Sequence, residues 1–159
     1  MSRVRRIVFG ADPRRTTVRI LVLTSIAAVM LVWVILPVRA DGDSMLPTYY
    51  SGNFTVVNRL AYLNTRPKRG DIVAIRLAGT SVVIIKRIIG LPGERFSVSD
   101  GTVHVNGAPL TEPYVRHNRS WNLDEVTLGS AEYFVVGDNR GASDFGRVDR
   151  DRIVGRLMF

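Results

Sequence analysis

The chain has 159 residues and a formal net charge of +8, a length that supports one compact domain. It contains no cysteine and two histidines, which excludes a disulfide framework and a thiolate nucleophile and argues against a metal site. The charge is local, because residues 1–39 carry seven Arg and one Asp, whereas residues 40–159 carry 15 Lys or Arg and 13 Asp or Glu. We therefore expect no metal, no cofactor and no nucleic-acid partner.

An uncharged apolar run extends from Ile20 to Val38. Its length is close to the roughly 20 residues that a helix needs to cross a bilayer, so we expect one transmembrane helix over residues 20–38. Six arginines precede the run and one follows it directly. The positive-inside bias then keeps residues 1–19 in the cytoplasm and places residues 40–159 outside the plasma or inner membrane.

The alternative interpretation of this run is a cleaved secretory signal. Val38-Arg39-Ala40 has small residues at the two positions that such a cleavage site requires. Against it, the run is longer than the core of a typical signal, and cleavage after Ala40 would leave Ser44 close to a frayed chain end. In both interpretations residues 40–159 are exported.

Short runs rich in Val and Ile, bounded by Gly, Pro, Asn and Asp, follow the apolar segment. They predict an all-β domain over residues 40–159. Dipeptides that accept positive φ angles indicate hairpin turns at 78–79, 100–101 and 106–107. Residues 109–129 predict an extended loop or part of a small subsidiary excursion, which we expect around residues 91–130. The predicted strands are 54–58, 71–77, 80–89, 95–99, 102–105, 133–136 and 153–158.

Two polar residues stand out in this pattern. Ser44 lies in a Gly- and Pro-bounded segment directly after the apolar run, where a single serine is by default a turn residue. Lys86 lies inside a run, residues 82–89, that is apolar on both faces of a strand. Burial there would lower the pKa of the lysine and let its amine accept a proton from a serine hydroxyl. Taken alone, the charge pattern favours a lysine that reaches solvent at a strand edge.

Four blocks occur in a fixed order: SMLPT at 44–48, RGDIV at 69–73, KRIIGLPGE at 86–94 and GDNR at 137–140. Their order and spacing resemble the type I signal peptidases of bacteria and organelles, over about residues 20–159. The resemblance implies twisted antiparallel sheets, with Ser44 as acylated nucleophile, Lys86 as general base and the Ser44 backbone N–H as an oxyanion donor. It also implies cleavage of signal-peptide-bearing preproteins after small-x-small sites at the lipid bilayer.

The last block departs from the family pattern. Ser143 matches a family serine that orients the lysine amine, but the usual Ser-x-Asp-Ser-Arg-x-aromatic-Gly is shortened by about four residues to SDFG at 143–146. Asp144 can replace the family aspartate, whereas the arginine that pairs with it has no clear match, and Arg147 could substitute only by reaching back. Residues 138–140 are expected to form a structural turn beside the site. Gly42 stands where some members place a second oxyanion hydroxyl, so that donor is left open.

Three other functions fit parts of the sequence. A self-cleaving repressor-type peptidase also uses Ser and Lys on a related β fold, but it needs a DNA-binding domain where this chain has its apolar run. A peptidase dedicated to one conjugation or pilus precursor would share all four blocks. An inactive, membrane-anchored β module that binds export substrates is suggested by the shortened block, although the presence of both Ser44 and Lys86 argues against it.

Overall fold

The computed structural model describes residues 13–77, 82–116 and 118–158. The chain divides into two units, Met1–Ile35 and Leu36–Phe159. In the first unit, helix α1 (Pro13–Val34) exposes a continuous set of apolar side chains. Its length and composition suffice to cross a membrane.

Helix α1 differs from the predicted span of 20–38 at both ends. It starts at Pro13 because proline fits the first position of a helix, where its missing N–H costs nothing. It ends at Val34, and the next residues form a strand, since Pro37 cannot donate a helical hydrogen bond and disfavours the helical conformation at Leu36. The chain therefore changes from helix to strand within the continuous apolar run, between Val34 and Ile35.

The described part of the second unit is built from antiparallel strands, which confirms the all-β prediction. A seven-stranded sheet has the order β1-β2-β11-β3-β4-β9-β10, and a four-stranded sheet has the order β7-β6-β5-β8. The strands are β1 (Ile35–Arg39), β2 (Phe54–Asn58), β3 (Ile72–Arg76), β4 (Val83–Gly90), β5 (Arg95–Ser99), β6 (Thr102–Val105), β7 (Ala108–Pro109), β8 (Leu123–Thr127), β9 (Glu132–Val136), β10 (Phe145–Asp149) and β11 (Ile153–Leu157).

Each of the seven predicted strands is present, with bounds that agree within one or two residues where the structure describes them. The turns at 100–101 and 106–107 are confirmed by positive φ at all four residues. The turn at 78–79 and the predicted strand start at 80–81 lie outside the described residues. Strands β1, β7, β8 and β10 were not predicted, and the region 109–129 that predicted a loop contains β8.

The register of β3 and β4 decides which face each functional side chain uses. Val73 is opposite Lys86 and Ile75 is opposite Ile84, so these four side chains share one face of the sheet. Val73 and Ile75 belong to a buried apolar cluster on that face. Arg87, next in the chain, projects from the other face. The strand thus sends its two cations to opposite sides of the sheet.

Candidate active site

Ser44 lies in the segment that connects β1 with β2. Two backbone hydrogen bonds close the base of this segment: the Ala40 N–H donates to the Asn53 carbonyl (2.9 Å), and the Gly52 N–H donates to the Ala40 carbonyl (2.7 Å). Gly42 has a φ of 85°, in the left-handed region that glycine tolerates without strain. Ser44 itself is half-buried, so its position is defined by the fold while one side stays accessible.

The backbone around Ser44 is fixed by a residue from a distant part of the chain. The Asn139 backbone N–H donates to the Ser44 carbonyl, and its side-chain amide donates to the Asp43 carbonyl, both at 3.0 Å. Thr48, further along the same segment, donates its hydroxyl to Asp138 (2.5 Å). The block at 137–140 therefore holds the segment around Ser44 in place, in agreement with the structural role predicted for residues 138–140.

Gly137 allows this close approach because it has no side chain. A Cβ at this position would overlap the Ser44 carbonyl oxygen and lie 2.5 Å from the Ser143 hydroxyl oxygen. Real Cβ atoms do not approach other atoms so closely, so only glycine fits between these two residues. Apart from its position in the GDNR block, nothing in the sequence indicates this role of Gly137.

Lys86 is buried, with 8 % of its surface exposed, so the alternative of a lysine that reaches solvent is wrong. Its Nζ donates to the Ser143 Oγ (3.0 Å), which also accepts the Gly137 N–H (2.7 Å). The Ser143 hydroxyl in turn donates to the Asp144 backbone carbonyl (2.8 Å). One donor and two acceptors exhaust the capacity of a hydroxyl. The lone pairs of Ser143 must therefore face the amine and the Gly137 N–H.

The buried position of Lys86 favours a neutral amine. Burial lowers the pKa of Lys86 below the ordinary lysine value, and the Asp144 carboxylate partly opposes this effect. A lower pKa increases the fraction of amine that can accept a proton near neutral pH. Lys86 thus has the property that a general base requires.

Arg87 has a different environment from Lys86. It binds Asp138 through two parallel hydrogen bonds of 2.7 and 2.6 Å and donates to the Gly70 carbonyl (2.8 Å). Its guanidinium carbon lies 4.1 Å from the centroid of the Tyr114 ring. This cation is therefore held in the charged form as a structural ion pair.

Ser44 and Lys86 line one cavity of about 260 Å³, which we call the nucleophile cavity. The pairing of β4 with β9 begins at Arg87, and residues 82–85 line the same cavity. An extended peptide can lie along this part of β4 and present a carbonyl to Ser44. The other residues lining the nucleophile cavity are Arg39, Ala40, Asp41, Gly42, Met45 and Tyr49.

Two further predicted features have clear positions. Arg147 lies 3.6 Å from Glu132 in an ion pair, so the structure places it beside that residue rather than with Asp144. Asp144 is exposed, and its carboxylate is close enough to Lys86 to act on the charge of the amine. Of the two histidines, His104 is on β6, away from the nucleophile cavity, and His117 lies outside the described residues. Within the described ranges, no group of three or more His, Cys, Asp or Glu is arranged to hold a metal ion.

Comparison with known proteins identifies close relatives. The family model described as signal peptidase, peptidase S26, matches residues 14–159. The chain is 33% identical over 138 residues to signal peptidase I T of Bacillus subtilis, covering 77% of this chain and 72% of that protein. It is 32% identical over 152 residues to the probable signal peptidase I-1 of a Synechocystis species, covering 88% of this chain and 78% of that one. A crystal structure of a signal peptidase I from Enterococcus faecalis matches with a TM-score of 0.50 and 32% identity, over 59% of this chain and 98% of that one.

Proposed function

The chain belongs to the signal peptidase family, peptidase S26, and we propose that it removes signal peptides from exported precursors with Ser44 as nucleophile and Lys86 as general base. The protein is membrane-anchored through its N-terminal apolar helix. The observation that carries the assignment of roles is the common cavity of Ser44 and a buried lysine whose pKa is lowered.

The orientation in the membrane is part of this proposal. Helix α1 crosses the bilayer once, residues 1–19 stay on the cytoplasmic side, and the β domain lies on the other side of the plasma or inner membrane. The support is the excess of arginine before the apolar run. Precursors that emerge from the export machinery would then meet the peptidase on the side where the signal peptide is no longer needed.

The reaction proceeds through an acyl-enzyme. The neutral Lys86 amine accepts the proton of the Ser44 hydroxyl while the Oγ forms a bond to the scissile carbonyl carbon. The bond from that carbon to the leaving nitrogen then breaks, and Lys86 donates the proton to this nitrogen. Water next attacks the ester carbonyl with Lys86 again as base, and the Ser44 oxygen leaves with the proton. Protons balance over one cycle, and Lys86 ends as it began.

Ser143 acts in this scheme as a positioning residue. It accepts one N–H of Lys86, which fixes the rotation of the amine and directs the remaining valences away from Ser143. The Ser44 backbone N–H supplies one donor to the oxyanion. Gly42 brings no side-chain hydroxyl, and its own N–H donates to Ser51 (3.1 Å).

The substrate is expected to bind as an additional strand along residues 82–85. Main-chain hydrogen bonds of this kind do not depend on sequence, so the cavity walls provide the selection. Lipid surrounds α1, and the proposal includes no nucleic acid, metal or cofactor.

The test uses purified full-length protein in detergent with two unrelated labelled preproteins that carry small-x-small sites. Ser44→Ala and Lys86→Met should each lower kcat/KM on the order of 10³-fold or more. Ser97→Ala and Lys68→Met are matched controls, because Ser97 lies on β5 in the other sheet and Lys68, the only other lysine, is exposed.

Three results would overturn parts of the proposal. Equal processing by the parent and both site variants would remove the roles of Ser44 and Lys86. Cleavage of one preprotein with none of the other would instead favour a peptidase dedicated to a single precursor. Binding without cleavage by the parent would favour the inactive module.

A further inference from the structure

A second cavity, of about 330 Å³, lies beside Lys86 and is separate from the nucleophile cavity. Strands β3, β4, β9 and β10 supply its walls, and Lys86 and Ile84 are shared with the nucleophile cavity. We call it the leaving-side cavity. Its apolar walls are Ile75, Leu77, Ile84, Val135, Phe145 and Val148.

The shortened segment at 143–146 borders this cavity. Asp144, Phe145 and Gly146 all line it, and this is where the chain lacks about four residues of the family pattern. Gly146 pairs with Val135 across β9 and β10, so a side chain at 146 would project from the same face as Val135. A Cβ at Gly146 would meet no atom within 4 Å. The cavity is therefore open at Gly146.

The chemistry of the acylation step brings a part of the substrate close to Lys86, which lines this cavity. Lys86 must donate a proton to the leaving nitrogen, which brings that nitrogen to about 3 Å from Nζ. The Cα of the first residue of the leaving chain is bonded to this nitrogen at about 1.5 Å. Its side chain therefore begins close to Lys86, on the side away from the acyl group that stays on Ser44.

We propose that the leaving-side cavity holds the side chain of the first residue of the released protein and favours a large apolar one. The inference rests on the proposed roles of Ser44 and Lys86. Apolar walls select such a side chain by removing its surface from water. The charged residues Asp144, Arg147 and Arg152 also line the cavity. Selection on this side of the cleavage point thus comes from the part of the chain that departs from the family pattern.

The experiment measures kcat/KM of the full-length protein on preproteins that differ only at the first released residue, with Ala, Leu or Phe there. The parent should prefer Leu and Phe over Ala by roughly 10-fold. Gly146→Leu fills the cavity and should bring the ratio of Leu to Ala close to one, while Gly146→Ala should leave an intermediate ratio. Gly129→Leu is the matched control, since Gly129 is exposed, has no positive φ and allows a Cβ at ordinary contact distance.

A parent ratio near one, or a ratio that Gly146→Leu leaves unchanged, would overturn the inference. The parent series alone decides the first point, so the test does not depend on the folding of a variant. A fluorophosphonate probe, which has no leaving chain, tests Ser44 separately. If the probe labels the protein and the preproteins are cleaved without a preference at the first released residue, only this inference is refuted. If the protein is not labelled and cleaves no preprotein, the proposed function is refuted, and this inference with it.

Discussion

Ser143→Ala tests the proposed positioning of the base. The change removes the oxygen that accepts hydrogen bonds from the Lys86 Nζ (3.0 Å) and the Gly137 N–H (2.7 Å). It also removes the donor to the Asp144 carbonyl (2.8 Å). Ser143 is buried, with 4 % of its surface exposed, so two donors lose their partner in a region with little access for water.

The magnitude follows from these contacts. A buried donor without a partner costs about 1–3 kcal/mol, so the two donors together lower the free energy of unfolding by about 2–6 kcal/mol, less where water enters the space. Of these three hydrogen bonds, only the one between the Lys86 Nζ and the Ser143 Oγ bears directly on the rate of catalysis. A hydrogen bond that involves a charged group contributes about 1.5–3 kcal/mol, which corresponds to a decrease in kcat of between about 10- and 150-fold.

The assay combines preprotein cleavage with thermal unfolding of the full-length protein. We expect a lower kcat with KM changed little, because Ser143 contacts the base and not the substrate. Ser143→Cys, whose thiol is a weaker acceptor, should give an intermediate rate. A Ser143→Ala protein that is folded and cleaves at the parental rate would refute the positioning role. A rate that falls only in proportion to the folded fraction would make the role structural.

Three further changes have defined outcomes. Asp144→Asn removes the charge that raises the pKa of Lys86, so the amine loses its proton at lower pH, and the acidic limb of the kcat/KM profile should move to lower pH; a shift to higher pH would contradict this reasoning. Gly137→Ala forces a Cβ against Ser143 and should reduce both activity and thermal stability, whereas a parental melting temperature would show that the backbone can adapt. Asp138→Ala leaves the largely buried Arg87 guanidinium without its carboxylate and should cost up to about 3 kcal/mol of unfolding free energy in chemical denaturation, and a loss below about 1 kcal/mol would indicate that water replaces the carboxylate.

The strands that the sequence predicts correctly contain apolar residues that alternate with polar ones or follow one another in short runs, as in β2, β5 and β6. Strand β10 escaped prediction because only Val148 in it is buried, and one buried side chain makes no alternating pattern. Strand β1 was not predicted because its first four residues are as apolar as the end of helix α1 before it. Pro37 was the available signal for that boundary, since it cannot continue a helix.

The candidate site was predictable to a different degree at each residue. The apolar surroundings of Lys86 along its strand indicated burial, but local sequence could not separate this from a strand edge, because that depends on what packs across the sheet. Ser143 and Gly137 meet through a hydrogen bond of 2.7 Å, and the close approach of Gly137 to the Ser44 carbonyl joins parts of the chain that are far apart. Such contacts arise from the order of strands in the sheet, which cannot be read from the local patterns of a single sequence.

The contrast between Lys86 and its neighbour Arg87 supports the proposed role of Lys86 as a base. Both cations are taken out of water, and a charge in that position is costly unless it is paired. Arg87 cannot lose its proton in a protein, and its charge is paired with the Asp138 carboxylate. Lys86 can lose its proton, and its hydrogen bond goes to a neutral hydroxyl. If Asp138 faced Lys86 instead, the pair would hold the lysine charged, so the alternation of the strand that separates the two side chains is a condition for the role proposed for Lys86.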